Sequence, residues 1–363
     1  MKRILFFAKH ETQIQANSAV FNTGNELTKV DIHSKENNIS VEMEVMTKVF
    51  IAKGWQCFWT CRNWIDLTNN IIQCFNPETK NTDRFLIDTL SNCFEVIIFR
   101  SIGSVEGNRD NIVKVIETLQ NHFQGLIINH PETIKYGIRK DYVLELQSNG
   151  FPIIETQYFD KNVSYSTLIK SIKPKQQYII KPTTGELSNS LAVIENDTEI
   201  YDVKNEQNEN GETYLRRKER LVGGWLLQPL MKDIWDGEYQ LVFFGNNFSH
   251  GCKKEYEKSL PDMKVPSQKF RNISLYTPTE QEKEIALSVK SFFENKLHKP
   301  IYTFRFDFLK QKNDNGIKIV EFEFLNPGFF IGYIGDNDKK IDICTNFERE
   351  VVRLINYYDT NRQ

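Results

Sequence analysis

Three carboxylates and a guanidinium stand at two-residue spacing in two neighbouring segments, YTFRFDFLK (302–310) and KIVEFEF (318–324). Side chains of a strand alternate between its faces. Tyr302, Phe304, Phe306 and Phe308 therefore share one face, extended by Val320, Phe322 and Phe324. Arg305, Asp307, Glu321 and Glu323 take the other. A turn centred on Asp314 sets 307 opposite 321 and 305 opposite 323. Carboxylates that repel one another cluster when a cation holds them, and all-oxygen ligands suit Mg²⁺, which bridges substrate phosphates. A solvated sheet face laced by an Arg305 ion pair accounts for the same pattern.

EYQLVFF (238–244), GNN and FSHGCKK (248–254) read as a second hairpin by their turn residues. Centred on Asn246, it sets Glu238 against Lys254 and puts Gln240, His250 and Cys252 on their side. A plain cross-strand salt bridge, worth little at a surface, explains that pairing as well. Lys181 closes the apolar strand YIIKP (178–182) ahead of the small-residue loop TTGELSNS. A lysine there suits a phosphate as a point charge, and an exposed lysine is the plainer alternative. Arg100, at the end of EVIIFR (95–100), is a candidate for a substrate carboxylate or a surface arginine.

These fragments need a scaffold. The 363 residues exceed what one core organises, so two or three subdomains are expected. A composition 40% hydrophobic and 26% charged is that of a globular chain. With 46 Lys+Arg against 48 Asp+Glu, there is no basic excess for a dedicated nucleic-acid binder. No apolar run is long enough to span a bilayer. The start, MKRILFFAKHETQ, turns polar too soon for a signal peptide and reads as a first strand. Six scattered cysteines fit a reducing compartment, and Cys57 and Cys61 read as core residues on one strand face. A cytoplasmic location follows as an expectation.

RILFFA (3–8), a helix over 40–54, QCFWTC (56–61), EVIIFR, a helix over 109–123 and LIIN (126–129) alternate as βαβ units, which predicts a helix-covered parallel sheet. Residues 9–39 read as a loop, and no GxGxxG follows the first strand. In the middle of the chain, 137–148 and 167–172 look helical and 153–159 extended. YIIKP, SLAVIE (190–195) and WLLQPL (225–230) read as strands, and the polar stretch 196–220 as a surface loop. Thr277, Pro278 and Glu280 read as the capping box of a helix through Leu297, and a terminal helix carries Phe347 to Tyr358.

In this order, YIIKP, LLQPL, DGEYQLVFFGNNFSHGCKK, FRFDF and VEFEFLNP resemble the ATP-grasp superfamily. The likeness is to glutathione synthetase-like ligases, including the D-cycloserine-forming type. It extends to NHPETIKYGIRKDYVLEL (129–146) and covers most of 125–335. It implies an α/β chain with α+β lobes: an ATP-grasp fold behind a Rossmann-like parallel α/β domain. The divisions expected are 1–125 for the preceding domain, 126–232 for the N-terminal lobe with its lid, and 233–363 for the C-terminal lobe with the metal site.

The resemblance also implies roles. Lys140 and Lys181 would meet ATP, Gln228, Pro229 and Leu230 the adenine edge, and Glu238 the ribose. Asp307, Glu321 and Glu323 would hold Mg²⁺, two ions in this superfamily. Lys254, Arg271 and Arg305 would face the γ-phosphate and an acyl-phosphate, and Asn326 would assist. The loop after Lys181 departs from the family in having one glycine, Gly185, with Ser188, Asn189 and Ser190 as substitute donors. The loop 183–190 and the stretch 196–220 are the expected lids.

The implied activity is ATP-dependent ligation of a carboxylate to an amine, releasing ADP and phosphate. The partners implied are small-molecule substrates, an amino acid or peptide among them, with no nucleic acid or membrane. A homodimer stays open. Phosphotransfer at the same ATP site, or a non-catalytic ATP-binding scaffold, are the rival readings.

Overall fold

The structure, a computed structural model, describes residues 2–8, 38–185, 190–256, 270–312 and 316–360. The expected loop at 9–39 lies outside them except for 38 and 39, which open a helix.

The first sheet holds β1 (Lys2–Ala8), β2 (Trp55–Cys61), β3 (Ile65–Asp66), β4 (Ile71–Asn76), β5 (Asn81–Leu86), β6 (Val96–Phe99) and β7 (Leu126–Ile128). Its order is β3-β4-β2-β1-β6-β7, with β5 on β4. The strands β2, β1, β6 and β7 run parallel, as the βαβ rhythm predicts. The antiparallel β3, β4 and β5 were not evident in the sequence, where segments of two to six residues carry little periodicity. Alternation along β1 fills two cores. Ile4, Phe6 and Ala8 face α1 (Asn38–Ala52) and Leu5 and Phe7 face α2 (Arg109–His122). Cys57 and Cys61 are fully buried and free.

α3 (Pro131–Gly137) and α4 (Tyr142–Ser148) replace the single helix expected at 137–148. The second sheet follows, with β8 (Gln157–Phe159), β9 (Tyr178–Pro182), β10 (Ala192–Ile194), β11 (Glu199–Asp202), β12 (Gln207–Asn210) and β13 (Trp225–Pro229) in the order β12-β11-β10-β9-β13-β8. α5 (Tyr165–Ile169) and α6 (Gly211–Lys218) cover it. The stretch 196–220 is thus two strands and a helix rather than a loop. Ile200, Tyr214 and Leu215 anchor it in the core of this sheet, and Arg217 ties α6 to Asp202 and Glu209.

The third sheet is β14 (Glu238–Phe244), β15 (Asn247–Tyr256), β16 (Phe270–Tyr276), β17 (Thr303–Lys310) and β18 (Ile317–Glu323), in the order β16-β15-β14-β17-β18. α7 (Glu280–Leu297) packs Ala286, Val289 and Phe293 on its aromatic face. The capping box of α7 uses Thr279 and Glu282, two residues beyond the expected pair. Both pairs satisfy the S/T-x-x-E spacing, and the chain takes the second. α8 (Asn337–Thr360) returns to α1, and Phe347, Val351 and Leu354 join the core of the first sheet. Among the described residues, no helix is long and apolar enough to cross a membrane.

Candidate functional site

Strand β17 pairs with β18 in the expected register, Arg305 opposite Glu323 and Asp307 opposite Glu321. A bulge follows between Asp307 and Phe308, so Ile319 rather than Val320 lies opposite Phe308. Val320 leaves the aromatic face it was expected to extend, because an extra residue inverts the alternation beyond it. On the same polar face Glu238 lies opposite Lys254, and Gln240 opposite both Cys252 and Asp307.

Arg305 donates to both oxygens of Asp307, from Nε at 2.7 Å and Nη2 at 2.8 Å. Burial weakens the charge on Arg305, but Asp307, Glu323 and Glu321 more than offset it, and its pKa rises. Asp307 is itself pushed up to about 7, by burial first and by Glu238 and Glu321 beyond what Arg305 compensates. One guanidinium does not satisfy this carboxyl.

Lys140, in the link between α3 and α4, sits 2.8 Å from Glu321. Its N–H donates to the Thr183 carbonyl at 2.6 Å, which fixes the link to the end of β9. Burial would raise Glu321, but Lys140 and Lys181 outweigh it and draw the carboxyl down to about 2. Lys181 stands at the other side of this group. Burial lowers it to about 8, with Glu321 opposing and Lys140 adding. Glu323 is raised by burial and by Glu321, and it accepts from the N–H groups of Leu325 at 3.1 Å and Asn326 at 3.2 Å, both at Oε1.

Glu238 is 3.8 Å from Lys254 and accepts from the Tyr256 hydroxyl. Burial pushes the Cys252 thiol up to about 12 and holds His250 down at about 4. A protonated thiol and a neutral imidazole fixed between Ser249 and the Phe329 carbonyl supply no nucleophile.

Other expected residues are engaged differently. Gln228 is buried and donates to Thr156 Oγ1 at 2.7 Å. Pro229 has no N–H, and the Leu230 N–H donates to the Gln177 carbonyl at 2.9 Å, so the backbone donor of this segment is already used. The side chain of Arg271 lies outside the described residues, as do Glu186–Asn189 of the expected lid. The Ser190 hydroxyl, at the lid's far end, bonds Glu106 at 2.7 Å. Arg100 is neither a surface residue nor free for a substrate carboxylate. It is 4% exposed, paired with Glu42, bonded to the Pro327 carbonyl at 2.7 Å and stacked 3.7 Å over Phe329.

Asn129 carries no signal in the sequence yet holds the hairpin in place. Its amide donates to the carbonyls of Thr303 and Phe324 and accepts from the N–H groups of Tyr302 and Thr303, all at 2.7 Å. It thereby fixes the end of β7 to the base of β17 and β18.

Among the described residues, no three His, Cys, Asp or Glu side chains gather closely enough to hold a metal ion. The three carboxylates share a face, but Arg305 and Lys140 draw two of them aside. Their chemistry still fits a hard cation: the donors are all oxygen, and both Asp307 and Glu323 are raised by burial and by neighbouring carboxylates.

No family model and no curated protein matches the sequence. Solved structures do match. D-cycloserine synthetase superposes with a TM-score of 0.64 at 16% identity, covering 96% of this chain and 99% of that one. D-alanine–D-alanine ligase from Bacillus anthracis gives 0.57 at 11% identity with all of both chains covered. An ATP-grasp RimK-domain protein from Sphaerobacter thermophilus gives 0.52 at 12%, covering 96% and 99%. The chain has the ATP-grasp fold. Lys181 of the second sheet and Glu321 of the third lie close enough to interact, and Lys140 of the α3–α4 link pairs with Glu321.

Proposed function

We propose that this protein is an ATP- and Mg²⁺-dependent carboxylate–amine ligase. The observation that carries the reading is the meeting of Lys140, from the α3–α4 link, and Lys181, from β9, with Glu321 beside the Arg305–Asp307 pair. Cations from one lobe and surplus carboxylates from the other suit a metal–triphosphate placed between them. D-Cycloserine synthetase and D-alanine–D-alanine ligase share the fold, as does the ATP-grasp ligase PsnB, solved with Mg and ADP (TM-score 0.54, 9% identity, 97% and 98% covered).

In this reading, residues 1–125 form the preceding domain, 126–232 the lobe that carries Lys140 and Lys181, and 233–363 the lobe with the carboxylates. Asp307, Glu321 and Glu323 would hold Mg²⁺, which when bound supplies charge neutralisation on the transferring phosphoryl group. Lys140 and Lys181 bind the phosphates, the 228–230 segment borders the adenine, and Glu238 lies toward the ribose. The substrate carboxylate would attack the γ-phosphorus, ADP leaving as the bond to the β–γ bridging oxygen breaks, and Arg305, Lys254 and Arg271 would screen the charge that develops. An amine then attacks the acyl-phosphate, which gives an amide and phosphate. Positioning and screening suffice, in keeping with the protonated Cys252. Six free cysteines accord with a cytoplasmic setting.

The test is a screen of amino acids and peptides for Mg²⁺-dependent release of ADP and phosphate, followed by ³¹P NMR of the products. Phosphate release that requires both a carboxylate and an amine supports ligation. AMP and pyrophosphate, or a stable phosphorylated product without an amine, overturns it.

A further inference from the structure

The first sheet carries a cavity that the proposed ligation does not use. Its volume is about 470 Å³, a size that takes a small molecule. It is lined at the amino ends of the parallel strands by Arg3 of β1, Gln56 of β2, and Cys93, Phe94 and Glu95 just ahead of β6. Asn129, which joins this sheet to the carboxylate hairpin, follows β7 at the opposite, carboxyl end. β1 runs from Lys2 to Ala8, so a strand length of roughly 20 Å lies between the cavity and that end.

Its two charges come from different flanks. Arg3 stands opposite Gln56 in the sheet, and its Nε donates to Gln56 Oε1 at 2.8 Å, which turns the guanidinium toward β2. Glu95 lies on the β6 side. Its N–H donates to the Arg3 carbonyl at 3.0 Å, and its Oε2 accepts the Arg3 N–H. Both side chains are partly exposed, and among the described residues no ion pair joins them or ties either one elsewhere. The Nη groups of Arg3, the Gln56 side-chain nitrogen and Glu95 Oε1 likewise have no partner among the described residues. Phe94, 3% exposed and edge-on to Phe58 and Phe85, is a fixed apolar floor. Ser91 braces the wall before it, for its hydroxyl accepts from the Gln124 N–H at 2.7 Å and donates to the His122 carbonyl at 3.3 Å.

We infer that this cavity binds a small zwitterion, a free α-amino acid or a short peptide. Its carboxylate takes the Arg3 guanidinium and the Gln56 amide, its ammonium takes Glu95, and Phe94 underlies its apolar part. One cation and one anion that do not neutralise each other favour a ligand of both signs. A plain carboxylate would meet Glu95 as a like charge, and a plain amine would meet Arg3 so. The site rests on the cavity and its charges, and it stands or falls apart from the ligase reading.

Cys93 supplies a readout local to the cavity, since it is partly exposed and the other five cysteines are buried. The test is alkylation of the native protein with iodoacetamide in the presence of each standard amino acid and its glycyl dipeptide, with Cys93 followed by peptide mass spectrometry. At least one compound should protect Cys93, and its N-acetyl and amide forms should each bind roughly tenfold more weakly. Arg3→Met should erase the preference for the free carboxylate over the amide. Glu95→Gln should erase the preference for the free amine over the N-acetyl form, with the thermal midpoint held in both variants. Protection by none of these compounds overturns the inference, as does a Cys93 that resists alkylation in the free protein. Derivatives that protect as well as their parent overturn the zwitterion assignment, and that comparison uses the wild-type protein alone.

Discussion

Lys140 Nζ lies 2.8 Å from Glu321 Oε1, and this one contact joins the α3–α4 link to the carboxylate strand β18. The lysine is held from behind by its own N–H on the Thr183 carbonyl. Neither group is placed by its neighbours in sequence. Glu321 is delivered by a strand of the third sheet and Lys140 by the link between two helices, and in the proposed reading the ion pair marks where a phosphate and its metal would enter.

Glu321→Gln should therefore lower Mg²⁺-dependent ADP formation by roughly 10²–10³-fold, since a neutral amide neither pairs with Lys140 nor binds a hard cation well. Far-ultraviolet circular dichroism should stay that of the wild type. Normal ATP turnover by a folded variant would remove Glu321 from the metal set.

The Arg305–Asp307 pair is bidentate, with Asp307 buried and Arg305 half-buried. Arg305→Ala should cost about 3 kcal/mol in urea unfolding, because it strands a buried carboxylate. Arg305→Met with Asp307→Leu should recover most of that stability while activity stays lost. If activity returned with stability, the pair would be structural alone.

Asn129→Ala breaks four hydrogen bonds at the base of the hairpin and should cost about 2–4 kcal/mol. Asn129→Asp sets a carboxylate oxygen against the Thr303 and Phe324 carbonyls in a buried site and should lose at least as much at neutral pH. A urea midpoint unchanged by either substitution would contradict the bracing role.

His250 is buried with its pKa near 4, for burial disfavours the imidazolium and Lys339 adds to this against the Phe329 carbonyl. The unfolded histidine titrates near 6.5 and so binds more protons than the native one between these values. Stability is thus complete above about pH 6.5 and falls as pH drops toward 4, by about 3 kcal/mol from this residue. His130, lowered to about 4 chiefly by burial, acts in the same direction. His250→Gln should flatten the acid limb of a stability–pH profile, and an unchanged limb would dismiss the residue as its source.

The register of Asp307 and Glu321 was legible because alternation and turn length set it within one hairpin. Val320 was misplaced because a bulge leaves no mark on periodicity. The 196–220 stretch was read as a loop because its few buried apolar residues, Ile200, Val203, Tyr214 and Leu215, are thinly spread through a polar run. Asn129 and Arg100 were illegible in principle. The partners of Asn129 lie 173 to 195 positions away, and Pro327 lies 227 from Arg100. Only the folded chain brings those carbonyls to them.

The clamp made by Asn129 has a mechanical consequence. With the hairpin fixed to the first sheet there, and α8 sunk into that sheet's core, the first and third sheets act as one stator. The sheet of β8 to β13 is then the part left to move, and Lys181 rides with it, whereas Lys140 sits between α3 and α4, whose Ile134, Tyr142, Val143 and Leu146 pack in the cores of the first and third sheets. If the protein closes on its ligand, that closure would be a single swing, and a pair of distance labels placed on α6 and α8 would read it directly.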